Sequence, residues 1–184
     1  MTVSPVRLNH AVLFVADLTR AEDFYTTTFG MDLVSHEPRM NATFLRLPRS
    51  GNHHDLGLFG VAGAIPRPPR SVGLYHLAWQ LDTVDELVEF RELLITSGAY
   101  TGESSHGATK SVYGIDPDGN QFEVMWMLPR EQWGRYGNAA VVERLDLAAE
   151  LGTWSQWHTA GDLTYATAPS NAARSTAPTT DMEQ

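Results

Sequence analysis

Apolar and polar positions alternate in two different rhythms along the first 128 or so residues, and the order of rhythms repeats. Leu8–Val15 is a largely apolar, strand-like run. From Asp17 to Phe29 the apolar residues Leu18, Ala21, Phe24, Tyr25 and Phe29 fall on one face of a helix. Asp17 is placed to cap that helix at its N-terminus and Gly30 to end it. Three short strands are expected next, over Met31–His36, Ala42–Leu47 and Asp55–Val61, with turn-forming Pro38, Arg49, Ser50, Gly51 and Asn52 between them.

The pattern then restarts. Gly73–Leu81 reads as a strand and Thr83–Gly98 as a helix carrying Val84, Leu87, Val88, Phe90, Leu94 and Ile95. Weaker strands are expected over 100–104 and 110–115, and a stronger one over Gln121–Met127. Between the last two, Asp116-Pro117-Asp118-Gly119-Asn120 is a tight turn by composition. The plan is βαβββ, a linker, then βαβββ, with modules over 7–61 and 73–128 inside a unit of residues 1–130. The Pro-rich linker Ala62–Ser71 is extended and stiff. Residues 131–160 read as a C-terminal helical extension, with an amphipathic helix over Ala139–Leu151. Residues 161–184, rich in Ser, Thr, Ala and Pro, read as a low-complexity tail. The fold class expected is α+β: two βαβββ modules forming an open, barrel-like mixed sheet, with a C-terminal helix and tail.

Composition narrows the chemistry. The chain has 184 residues, 42% hydrophobic and 19% charged, enough for one well-filled domain. A net charge of −9 argues against nucleic acid as a partner, since phosphate binding needs clustered Lys and Arg. No segment approaches the roughly 20 apolar residues of a spanning helix, and Met1–Asn9 has no apolar leader core, so a cytoplasmic protein without membrane partners is expected. There is no cysteine, so disulfides, thiolate metal sites and a Cys nucleophile are excluded, and any metal site must use His, Asp or Glu.

His10 and His76 occupy equivalent places in the two repeats, near the start of each first strand. A pseudo-twofold relation between the repeats would bring them to one concave surface. Glu123 lies inside the apolar strand Gln121–Met127, where the strand period puts it on the opposite face from Phe122 and Val124. A carboxylate there is costly unless it is paired or ligating. Two imidazoles and one carboxylate form the facial triad of non-haem Fe(II) and O2 chemistry, and Mn(II) accepts the same set.

These features resemble the vicinal oxygen chelate superfamily of glyoxalases, bleomycin-resistance proteins and dioxygenases. Within it, His106, Val112, Tyr113, the Asp116-Pro117-Asp118-Gly119 turn and Glu123 fall at intervals similar to the signature of type I extradiol dioxygenases. The stretch from His53 to Phe59 resembles the strand that carries that family's acid/base histidine. The resemblance covers about residues 7–128 and implies a single-domain extradiol catechol dioxygenase. It implies His10, His76 and Glu123 as metal ligands and His54 as acid/base, with register leaving His53 open in its place. It also implies His106 and Tyr113 beside the substrate, Fe(II) as cofactor, a catechol and O2 as substrates, and a homo-oligomer. Tyr113 is expected near Glu123 across the 116–120 hairpin, its hydroxyl donating to a metal-bound oxygen. Trp79, Phe122, Met125 and Trp126 are pocket candidates, of which Met125 shares a face with Glu123.

Two readings stay open beside the dioxygenase. Glyoxalase-like members take a fourth carboxylate from the last strand of the first repeat. Here that strand has only Asp55, at its edge, which disfavours a glyoxalase without removing an isomerase or lyase. A metal-free small-molecule-binding protein of the resistance type would need none of the His/His/Glu set.

Overall fold

The structure is a computed structural model that describes residues 2–68 and 70–160, so the expected tail at 161–184 lies outside the described residues. The chain folds as α+β. β1 (Ala11–Val15) leads into α1 (Leu18–Thr28), followed by β2 (Asp32–Glu37), β3 (Ala42–Arg46) and β4 (Leu56–Gly60). After the linker the order repeats with β5 (His76–Gln80), α2 (Val84–Ser97), β6 (Tyr100–Ser105), β7 (Thr109–Ile115) and β8 (Gln121–Met127). Each run forms its own four-stranded mixed sheet, ordered β1-β4-β3-β2 and β5-β8-β7-β6. In both, the first strand pairs in parallel with the last, and the remaining pairs are antiparallel. Among the described residues the two sheets remain separate, and no closed barrel forms.

Local chemistry accounts for the helix limits. Asp17 accepts a hydrogen bond from the Arg20 backbone N–H at 3.0 Å, satisfying one of the free donors of the first turn of α1. Thr83 and Glu86 form a reciprocal capping box at the start of α2. Gly98 ends that helix at φ +74°, a left-handed conformation that side chains with a Cβ resist.

Strand alternation sorts the side chains into two faces. On β1, Leu13 and Val15 turn inward while Val12 and Phe14 stay 51% and 75% exposed. On β8, Phe122, Val124 and Trp126 are buried against α2, with Val84, Leu87 and Leu94. Phe24 and Phe29 of the α1 region pack against both cores, as does Trp79 of β5. Phe29 lies 5.2 Å from Phe90 and 5.1 Å from Phe122, centroid to centroid, so one ring cements the first run of elements onto the second. Polar contacts reinforce this join. Asp118 Oδ1 accepts from the Ala16 N–H (3.0 Å) and from Arg20 (2.8 Å), and the Tyr25 hydroxyl donates to Asp116 at 2.9 Å.

The C-terminal segment corrects one expectation. In place of a helix over Ala139–Leu151, two short 3-10 turns (Arg130–Gln132 and Gly134–Asn138) are followed by extended chain, and α3 spans only Leu147–Trp154. The backbone of Glu143 instead pairs with Ser105 at the end of β6, at 2.9 and 2.8 Å. The β-branched Val141 and Val142 suit that extended path. α3 begins where Asp146 accepts from the Ala149 N–H at 3.0 Å.

Candidate active site

Glu123 is placed by the β7–β8 hairpin, whose register sets Tyr113 opposite Glu123 and Ser111 opposite Met125. Asp116 fixes the turn: its Oδ1 accepts from the backbone N–H groups of Asp118 and Asn120 at 2.9 and 2.8 Å. The expected facing holds. Phe122 and Val124 enter the core at 2% and 1% exposure, while Glu123 turns to the other face and is still only 8% exposed. A carboxylate so buried needs partners. Its Oε1 accepts from the Ser111 hydroxyl at 2.5 Å, and its Oε2 lies 2.9 Å from His76 Nε2. At that distance the two side chains are bonded directly to each other, which supplies the second oxygen of the buried carboxylate with a partner.

The third expected ligand has other partners. His10, exposed and just ahead of β1, has its Nδ1 3.0 Å from the Asn9 side-chain oxygen and its ring 4.4 Å from that of His54. Among the described residues no three His, Cys, Asp or Glu side chains converge closely enough to hold a metal ion. The donor set is therefore divided into a His76–Glu123 pair and a His10–His54 group. Its donor types suit a divalent metal, but completing it requires His10 to leave its present contacts.

His54 is half-buried, its ring 5.2 Å from that of Phe44, whereas His53 is exposed. Desolvation, then the proximity of His10 and His53, lowers the His54 pKa below the ordinary histidine value, which favours a neutral ring able to take a proton. Asp55 is not free to act as a further ligand. It is buried, its Oδ2 accepting from the Leu47 N–H (2.8 Å) and Ser50 hydroxyl (2.7 Å) and its Oδ1 from Asn52 (2.6 Å).

His106 and Tyr113 meet as a pair on the same sheet as Glu123. Tyr113 Oη lies 2.7 Å from His106 Nε2, and Ser104 Oγ lies 2.9 Å from His106 Nε2 and 3.1 Å from Tyr113 Oη. The Tyr113 ring is 6.0 Å from the ring of His76. The hydroxyl expected to point at a metal-bound oxygen is thus engaged by His106 and Ser104. Of the pocket candidates, Phe122 and Trp126 are core residues and Trp79 packs against both cores. Met125, half-buried, shares the Glu123 face. Ser111 and Ser104 were not anticipated. The signal for Ser111 was the hairpin register itself, which puts it on the Tyr113 and Glu123 face two residues from Tyr113. No helix among the described residues is long and apolar enough to cross a membrane.

Residues 7–124 match the family model of the Glyoxalase/Bleomycin resistance protein/Dioxygenase superfamily. The chain is 35% identical over 127 residues to biphenyl-2,3-diol 1,2-dioxygenase 3 of Rhodococcus globerulus, covering 67% of this chain and 64% of that one. It is 32% identical over 129 residues to the catechol-2,3-dioxygenase of Bacillus subtilis, covering 70% of this chain and 44% of that one. The match thus spans under two thirds of the length of either relative. Among solved structures, a glyoxalase/dioxygenase from Nostoc punctiforme superposes with a TM-score of 0.58 at 19% identity, over 70% of this chain and 97% of that one, a likeness of fold. By fold, by repeat and by sequence, the chain belongs to the glyoxalase/bleomycin resistance protein/dioxygenase superfamily.

Proposed function

We propose that the chain is an Fe(II)-dependent extradiol dioxygenase that cleaves a catechol ring beside the diol and inserts both atoms of O2 to give a ring-opened semialdehyde. The observation that carries this reading is that His76 and Glu123 meet on one sheet, beside the Tyr113–His106 couple. The similarity of this segment to diol dioxygenases supports the same direction. His76, Glu123 and, after turning from Asn9, His10 would hold the iron; Mn(II) suits the same donors. Bound there, the metal would supply the electron path between a catechol and O2.

The chain's own residues would do the rest. His54, held neutral by its surroundings, would accept a proton from a catechol hydroxyl and return it later. Tyr113 and His106 would orient the diol through hydrogen bonds. Val12 and Phe14, on the outward face of β1, and Phe44 beside His54 offer apolar surface for the ring. Asp55, already satisfied in its turn, offers no fourth ligand, which supports this reading over the isomerase or lyase. A homo-oligomer belongs to the same reading and is checked by analytical ultracentrifugation.

The test is anaerobic reconstitution with Fe(II), then exposure to O2 with a panel of catechols. Oxygen uptake with a coloured ring-opened product is expected. Stoichiometric iron without turnover on any catechol would overturn the reading. His10→Ala should lower the bound iron, whereas His54→Ala should keep it and lose turnover.

A further inference from the structure

The segment beyond the family match reaches back to the site through one atom. His106 Nδ1 lies 2.9 Å from the backbone carbonyl oxygen of Val141. A carbonyl can only accept, so Nδ1 carries the hydrogen and donates it. In the neutral ring, Nε2 is then a bare lone pair. Two hydroxyls surround it, Tyr113 at 2.7 Å and Ser104 at 2.9 Å. By the shorter contact Tyr113 is assigned as the donor to Nε2, which leaves Ser104 Oγ, 3.1 Å from Tyr113 Oη, to donate to that oxygen. The phenol hydrogen is consumed inside this triangle, so the remaining capacity of Tyr113 Oη is that of an acceptor.

The other tautomer reverses this order. With the hydrogen on Nε2, His106 would donate to Tyr113 Oη, and the phenol hydrogen would be free for a ligand. What separates the two states is whether Val141 O is present, and the extended strap 139–146 is what presents it. The strap is fastened on either side of that atom. Glu143 pairs with Ser105 through two backbone hydrogen bonds. The Tyr136 ring lies over Gly107, where a Cβ would come within 2.2 Å of it and φ is +76°. Leu145 is buried at 5% exposure.

We propose that the C-terminal strap sets the hydrogen-bond polarity of Tyr113: by holding His106 as the Nδ1–H tautomer through Val141, it makes Tyr113 an acceptor for a ligand hydroxyl bound beside His76 and Glu123. The ligand class is a phenol in its protonated form. Only that last clause rests on the ring-cleavage reading; the tautomer assignment does not. Val141 and Glu143 are positioning residues, acting through His106.

The test uses the full chain labelled with 15N at histidine, without metal, with His106 assigned by loss of its signals in His106→Gln. Long-range 1H–15N correlation should show a pyrrole-type Nδ1 and a pyridine-type Nε2 for His106. Glu143→Pro removes the N–H that donates to Ser105, and Tyr136→Ala removes the ring over Gly107; the double variant combines them. If either single variant fails to fold, the other serves. The expected result is that the pyrrole-type signal moves wholly or partly to Nε2. A pyrrole-type Nε2 in the unaltered chain would overturn the proposal, as would an unchanged Nδ1–H signature in every folded strap variant. A chain that shows the expected tautomers yet cleaves no catechol would sink the ring-cleavage reading and leave the strap's role standing.

Discussion

Ser111→Ala isolates the support of the carboxylate. The Ser111 side chain is fully buried, and its hydroxyl donates to Glu123 Oε1 at 2.5 Å. The substitution keeps the Cβ and removes one oxygen, so it creates little space and adds no strain. What it removes is a hydrogen bond to a charged acceptor, about 1.5–3 kcal/mol in net stability. No nearby water channel is needed for the argument: Glu123 is only 8% exposed, so Oε1 would regain little hydration. For a chain of this size, roughly 2–4 °C per kcal/mol puts the expected fall in Tm between about 3 and 12 °C. Urea unfolding of the metal-free chain followed by tryptophan fluorescence should show a lower midpoint with an unchanged slope. The same hydroxyl fixes the direction of the carboxylate, and if Glu123 is the metal ligand proposed above, such an outer-shell partner is worth about 10- to 100-fold in affinity. Anaerobic Fe(II) titration should therefore show weaker binding at equal stoichiometry. Wild-type stability together with unchanged affinity would refute the reasoning, because it would mean that Glu123 does not depend on Ser111.

Tyr25→Phe should destabilise the chain by about 1–3 kcal/mol, because it strips a buried donor from Asp116 at the turn that joins α1 to the hairpin. Burial, then the neighbouring Asp116 carboxylate, pushes the Tyr25 phenol far above the ordinary tyrosine value, so it stays protonated when folded. Its contribution is present below about pH 10 and fades above it as the unfolded chain ionises; stability measured from pH 8 to 11 should fall less steeply in the Phe variant. Asp82 provides an acid-side counterpart. Burial raises its pKa, but hydrogen bonds from His158 and the Ala160 N–H outweigh this, and the net shift is downward. The tether to residues 158–160 should therefore hold above about pH 4 and release as pH falls through the lower folded value. Trp154 and Trp157 fluorescence in a titration from pH 6 to 2.5 reports it, and Asp82→Asn should remove the transition.

Much of the fold was legible because its signals are local. Asp17, Thr83 and Gly98 mark helix ends through contacts within a few residues, and alternation along Gln121–Met127 assigned Glu123 to the face opposite the core. The failures lie where distant partners decide. Residues 139–146 carry helix-compatible spacing, but the free edge of β6 at Ser105 captures Glu143, and a strand partner 38 positions away leaves no trace in local periodicity. Repeat equivalence of His10 and His76 suggested that they meet. His10 lies against Asn9 and His54, and how the repeats sit together rests on Phe24, Phe29 and Trp79, which pack against both cores and are not marked out by the pattern along either repeat.

The division of the ligand set has an energetic logic. Glu123 cannot stand unpaired in its buried position, so it takes His76 and Ser111 as partners. His10 carries no such constraint. It is exposed, and its one side-chain hydrogen bond, to Asn9, is worth about 0.5–1.5 kcal/mol at most. On the proposed reading, breaking that bond by itself would weaken metal binding by about tenfold or less, while displacing Glu123 would leave a buried charge uncompensated. The His76–Glu123 half of the proposed site is assembled by folding. On that reading, metal affinity depends on Glu123, His76 and Ser111 and on the movement that would bring His10 to them.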